Sequence, residues 1–199
     1  MAQFETFYPL LAELEGGYQA IESDSGNYNS LNELVGTNYG ISARFYEDYI
    51  GYPPSEEDMK DITKQEAKKI YREEFWDYNY ASEIENQDVA NTVIDMEINS
   101  GNGVRMAQEV LKNQFEKDIA IDGIMGNETL GAINNVNPIA FVNEYNFARI
   151  EYYMSLGKGE WLSIWVRRVQ KFAISNSNTL GQIFFLLVVV TGFVIYKNM

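Results

Sequence analysis

Neither cysteine nor histidine occurs anywhere in the 199 residues. Without disulfides, or a metal held by thiolates and imidazoles, nothing can staple this chain, so its fold has to be held by apolar packing. A hydrophobic share of 46%, of which aromatics make up 14% of the chain, is enough for such a core. The same absence excludes chemistry. Ser-His-Asp and Cys-His nucleophilic catalysis, thiol redox reactions and zinc hydrolysis through His or Cys each lack a needed residue. No metal and no cofactor is expected. Carboxylates, hydroxyls, lysine and tyrosine remain, and glycoside hydrolysis is the reaction class that needs carboxylates alone.

A net charge of −14 speaks against nucleic acid as a partner, because affinity there comes largely from Lys and Arg on phosphates. Basic residues gather late, at Lys158, Arg167, Arg168 and Lys171. They read either as a solvated helix face or as a local patch for an anionic surface. The N-terminus has neither the basic nor the apolar region of a secretory signal. The C-terminus differs sharply. A polar joint at 175–179 leads into Leu180 to Tyr196, with IFFLLVVVTGFVIY at its heart. At helical rise this run spans roughly 25 Å, slightly short of the hydrocarbon core of about 30 Å. The expectation is a transmembrane helix over 180–197 that tethers the chain to a membrane, with a buried or interfacial terminal helix as the alternative.

Between the ends, helical periodicity dominates. Phe4, Phe7, Leu10, Leu11 and Leu14 predict a first helix ending near Glu15, with Gly16-Gly17 as a left-handed stop. From Glu22 to Ser42 the chain is rich in Gly, Asn, Ser and Asp and reads as loops with a small β-hairpin. Thr63 and Glu66 form a capping-box pair ahead of Ala67, Ile70, Tyr71 and Phe75. Val89, Ala90, Val93, Ile94 and Ile98 mark another helix, on which Asn91, Asp95 and Asn99 make one polar stripe. Further helices are expected around Val104 to Leu111, after a cap at Asn127, from Asn137-Pro138 through Tyr153, and over Trp161 to Val169. The expected fold class is mostly α with a small β-hairpin.

Glu15 is the candidate of greatest chemical interest. At the C-terminal end of a helix it faces carbonyl dipoles, which disfavour its charged form and should raise its pKa. A retained proton is what a glycosidase acid needs. The adjacent glycines would let a bulky polymer approach the backbone. Asp24, in a turn-rich stretch, suits an ionised partner, and Thr37 could orient a water. On spacing alone this set is weak, since most turn aspartates merely cap.

Glu15-Gly16-Gly17-Tyr18 resembles the EGGY signature of glycoside hydrolase family 108, lysozyme-like muramidases frequent in phages and prophages. Asp24-Ser25-Gly26 and Thr37-Asn38-Tyr39-Gly40-Ile41-Ser42 look like that family's Asp-Pro-Gly-Gly and Thr-Asn-x-Gly-Ile-Thr segments. Ile70-Tyr71, Phe75-Trp76 and Asp95-x-x-x-Asn99-Ser100-Gly101 resemble later blocks. Asp122-Gly123 with Gly126 and Thr129, and Trp165 to Val169, resemble its peptidoglycan-binding portion. Two departures stand out: Ser25 replaces the usual proline, and residues Asn27 to Gly36 are extra.

The resemblance implies an α+β lysozyme-like fold, with a catalytic portion at 1–103 and a helical peptidoglycan-binding portion at 104–174. It implies a muramidase cleaving the β-1,4 bond between N-acetylmuramic acid and N-acetylglucosamine. Glu15 would be its acid, Asp24 and Thr37 its partners, and Tyr18, Tyr39, Asp95 and Asn99 its substrate contacts. Arg167, Arg168 and Lys171 before the apolar run, against Lys197 after it, would place the catalytic domain in the cytoplasm. There it would await release for phage-type lysis beside a holin-like, pore-forming partner. The alternative is a non-catalytic peptidoglycan-binding or secretion-assisting protein on the same scaffold.

Overall fold

A computed structural model describes residues 1–157 and 159–172. The chain divides into two compact units, one of Phe4–Phe75 and one of Met1–Gln3 with the described residues from Trp76 onward.

In the first unit, α1 (Phe4–Ala12) buries Phe4, Phe7 and Leu11 along one stripe. It stops before Glu15. The amides of Leu14 and Glu15 both donate to the Leu11 carbonyl, at 2.8 and 3.2 Å, and this last turn satisfies the helix end. Gly16 and Gly17 are therefore not the left-handed stop expected of them, and neither has positive φ. A single 3-10 turn follows at Ser25–Asn27. Strands β1 (Thr37–Asn38) and β2 (Ile41–Ser42) then pair antiparallel, Thr37 with Ser42 and Asn38 with Ile41. Helices α2 (Ala43–Ile50), α3 (Glu56–Asp61) and α4 (Lys64–Tyr71) complete the unit. Ser55 and Asp58 close a full capping box on α3. The expected box on α4 is half made: Thr63 accepts from the Glu66 amide at 3.1 Å, while the Glu66 carboxylate accepts from the Tyr46 hydroxyl.

The second unit contains α5 (Gln87–Ser100), α6 (Gly103–Phe115), α7 (Asn127–Asn134), α8 (Pro138–Ser155) and α9 (Gly159–Lys171). Asn137 caps α8 by accepting from the Ala140 amide, and Pro138 opens its first turn. Asn127 does not cap α7; it is that helix's first residue, and Gly126 holds the cap position. At Gly103 a Cβ would overlap the backbone of Val93 and Glu97, so only glycine allows α5 and α6 to approach this closely.

Three helices of this unit meet on one buried carboxylate. Asp95 on α5 is ion-paired to Arg149 on α8 and to Arg168 on α9, the latter at 2.8 Å. Asp95 and Arg149 are fully buried. Thr92 joins them, accepting from Arg149 Nη1 at 2.8 Å and donating to Asn146 at 2.7 Å. Asp95 and its two partners hold one negative against two positive charges.

The expected polar joint at 175–179 and transmembrane helix at 180–197 lie outside the described residues. Among the described residues no helix is long and apolar enough to cross a membrane. Helix α8 has the length, at 18 residues, but carries Asn143, Glu144, Asn146, Arg149 and Glu151, which hydrocarbon would not accommodate. The fold class is accordingly corrected to mostly α with a two-stranded sheet, and the transmembrane helix is removed from it. The membrane-anchored localisation and the membrane partnership rested on that helix and are corrected with it.

Replacing Asp95 by Asn should lower stability by about 3–5 kcal/mol, because the fully buried Arg149 guanidinium would lose the carboxylate it is paired with. Urea unfolding followed by circular dichroism measures this. An unchanged midpoint would contradict the role given to the carboxylate.

Candidate active site

The first unit contains a cleft of about 610 Å³, a size suited to several sugar-sized groups. Glu15, Gly16 and Gly17 form one margin, and Tyr39 of the hairpin another. Tyr8 and Ala12 come from α1, and Lys64, Gln65, Lys68 and Tyr71 from α4.

The hairpin decides where the Glu15 carboxyl can sit. Tyr39 and Gly40 form a two-residue turn with φ of 47° and 75°, the pair of positive values that a type I′ hairpin demands. Asn38, buried beneath it, donates to the Met59 carbonyl at 2.9 Å and to that of Lys60 at 3.3 Å, tying the turn to the end of α3. The Tyr71 hydroxyl donates to the Tyr39 carbonyl at 3.0 Å, tying it to α4. A Cβ on Gly40 would overlap the Tyr71 hydroxyl and the Glu15 carboxylate, lying 2.7 Å from Glu15 Cδ. The half-buried Glu15 side chain therefore rests on a bare glycine. Gly16 and Gly17 differ: a Cβ on either would meet nothing within 4 Å, so their backbone is open to a large ligand.

The α1 and α4 walls are joined. The Tyr8 hydroxyl donates to the Lys64 carbonyl at 3.3 Å, and its ring lies 6.4 Å from that of Tyr71. Burial, then the neighbouring Tyr39, pushes the Tyr8 phenol above its ordinary pKa and keeps it a donor. Lys68 lies 2.6 Å from Glu5 and above the Tyr8 ring. Apart from Glu15 and Tyr39, these wall residues are absent from the site expected from sequence. The available signal was the spacing of Lys64, Lys68 and Tyr71, which puts them on one helix face beside the buried Ala67 and Ile70.

Asp24, Thr37 and Tyr18 do not line the cleft volume. Asp24 is exposed and caps the 3-10 turn, one oxygen accepting from the Gly26 amide at 2.9 Å. Thr37 bridges to Gln19 through both backbone groups, at 2.9 and 2.8 Å, and its hydroxyl donates to the buried Asn27 side chain. The Asn27 carbonyl also accepts from the Val35 and Gly36 amides, each at 2.9 Å. The segment Asn27 to Gly36 is thus pinched at its neck, and it returns the chain to Thr37 beside the point where it left. The Tyr18 hydroxyl stands 3.0 Å from the Glu56 carboxylate and 3.2 Å from the Val35 carbonyl.

Asp95 and Asn99 belong to the second unit. Asp95 is engaged by Arg149 and Arg168, and Asn99 donates to the Tyr153 hydroxyl at 2.9 Å. The third member of that stripe, Asn91, accepts from Gln87 at 2.7 Å.

Comparison with known proteins places these observations in a wider set. Residues 8–101 match the model of the family described as Glycosyl hydrolase 108. Residues 102–170 match one described as a Predicted Peptidoglycan domain. Among solved structures, that of Brucella abortus SagA is similar, with a TM-score of 0.73 and 27% identity over 85% of this chain and 90% of that one. No curated protein matches the chain.

Replacing Gly40 by Ala should cost about 1–3 kcal/mol through its left-handed backbone and the overlap beneath Glu15. Gly16→Ala and Gly17→Ala, in open space, should change stability by less than about 0.5 kcal/mol. Parallel urea titrations compare the three. Equal effects would contradict the assignment of Gly40 as the supporting glycine.

Proposed function

We propose that this chain, whose residues 8–101 match the glycosyl hydrolase 108 model, is a muramidase cleaving the β-1,4 bond between N-acetylmuramic acid and N-acetylglucosamine. The peptidoglycan domain over 102–170 supports peptidoglycan as the polymer. One observation carries the assignment of chemistry: Glu15 is the carboxyl group of the cleft lining, set beside an open diglycine backbone. A glycosidic oxygen lying along Gly16-Gly17 would come within reach of that carboxyl, which protonates it as the bond to the anomeric carbon breaks.

Asp24 and Thr37 support the attacking water. Because the Thr37 hydroxyl spends its proton on Asn27, its oxygen is left to accept a hydrogen from water. Asp24 binds the Gly26 amide through one oxygen, and its exposed position suits the other to accept a proton or to face developing positive charge on the sugar. Tyr39, on the rim, is suited to stack on a sugar face, and Tyr18 holds the diglycine segment through Glu56. The rival reading, a non-catalytic wall-binding scaffold, is disfavoured by a half-buried carboxyl presented to so large a cleft. The phage-lysis setting and the pore-forming partner depended on a membrane anchor and form no part of this function.

Glu15→Gln, nearly isosteric, should retain the circular dichroism spectrum and lose at least about 100-fold in the rate of murein cleavage, as expected for removal of a general acid. A zymogram with quantified turnover on purified murein makes the comparison. A folded Glu15→Gln protein clearing murein at the unsubstituted rate would overturn the mechanism.

A further inference from the structure

The α4 wall of the cleft carries a cation that the proposed chemistry leaves unused. In the first unit Lys60, Lys68, Lys69 and Arg72 each stand against a glutamate, at 2.7, 2.6, 3.7 and 3.9 Å respectively. Lys64 lines the cleft with Glu15, and its ammonium meets no carboxylate and makes no hydrogen bond among the described residues. Its backbone is nonetheless fixed. Thr63 caps the helix that Lys64 opens, and the Lys64 carbonyl accepts from Tyr8 across the cleft. In a chain with a net charge of −14, which has acidic partners in excess, an uncommitted ammonium at this position is a specific feature.

We propose that Lys64 binds a carboxylate carried by the muramic acid residues of the substrate, and so makes the cleft selective for muramyl-containing strands over neutral polymers of N-acetylglucosamine. The inference rests on the muramidase reading for its substrate and adds a specificity-determining residue to it. Two carboxylates share this chemistry: the lactyl group, free only where the stem peptide has been removed, and the carboxylates of the peptide itself. Lys68 plays no equivalent part, because Glu5 already neutralises it. An ammonium at the rim contributes by attraction and a charge-assisted hydrogen bond, so its loss should weaken binding without altering the acid.

The test uses the full chain in the Glu15→Gln background, so that binding is read without turnover. Isothermal titration compares Glu15→Gln alone with versions also carrying Lys64→Met or Lys64→Arg. The ligands are strand fragments with stem peptides, the same fragments stripped by an amidase, and a chitin tetramer. Lys64→Met should weaken binding of at least one muramyl ligand by roughly five- to tenfold, and Lys64→Arg should restore most of it. The chitin tetramer should bind the three proteins equally. A loss confined to stripped strands assigns the lactyl carboxylate, and one confined to intact strands assigns the peptide. Equal affinity of all three proteins for every muramyl ligand, or an equal loss on chitin, would overturn the proposal. Should the expected losses appear while the unsubstituted protein cleaves no murein, the muramidase reading falls and the carboxylate site stands.

Discussion

Beneath the carboxyl group of Glu15 the hairpin runs as bare backbone, and the geometry of the cleft depends on that contact. Tyr39 and Gly40 turn the chain in two residues with positive φ, so β1 and β2 can be as short as two residues each and still be paired. Asn38 fastens the turn to α3, and Tyr71 fastens it to α4. Each bond satisfies a polar group that would otherwise be stranded at a helix end or a turn. A side chain at residue 40 would take the space of the Glu15 carboxyl. A local backbone requirement, a packing constraint and the position of a reactive group thus converge on one glycine.

The two units use polar side chains differently. In the first, amides do the tying. Asn27, Asn29 and Asn38, all buried, spend their side chains on the backbone or neighbouring polar groups of loops. That is how a long excursion from Asn27 to Gly36 is accommodated without displacing the strand that follows. In the second unit charge does the tying, through Asp95 with Arg149 and Arg168. A buried ion network costs desolvation and contributes little net stability over an apolar core, but it requires three helices to meet in one arrangement.

Much of the helical framework was legible in the sequence because local signals and tertiary packing agree there. The apolar stripe of α1 and the Thr63 and Asn137 caps all act within a few residues. Where a competing partner decides, reading failed. Gly16-Gly17 carried the look of a helix stop, yet Leu11 had already been satisfied by the amides of Leu14 and Glu15. Glu66 had the spacing of a capping box but was taken by Tyr46, twenty residues away. Lys64 and Lys68 look like an ordinary solvated helix face until α1 and the hairpin are set opposite them. Asp95 showed as part of a polar stripe, and nothing local said that Arg149 and Arg168 would bury it. The membrane helix expected at 180–197 lies outside the described residues, among which no helix is long and apolar enough to cross a membrane. The candidate site was legible in the same way: Glu15 and Tyr39 stood out in the sequence, and the walls contributed by Tyr8 and α4 did not.

The central claim is that a carboxyl group poised above Gly40 donates its proton to the glycosidic oxygen of a muramyl unit, and that water completes the reaction. The chemical nature of the new chain ends tests this most directly. Purified murein would be digested with the protein, reduced with borohydride, and its fragments identified by mass spectrometry. Cleavage as described leaves every new reducing end as muramic acid, recovered as the muramitol, and every new non-reducing end as N-acetylglucosamine. Ends recovered as glucosaminitol, ends closed as an internal anhydro sugar, or cut peptides with intact glycan would each contradict it.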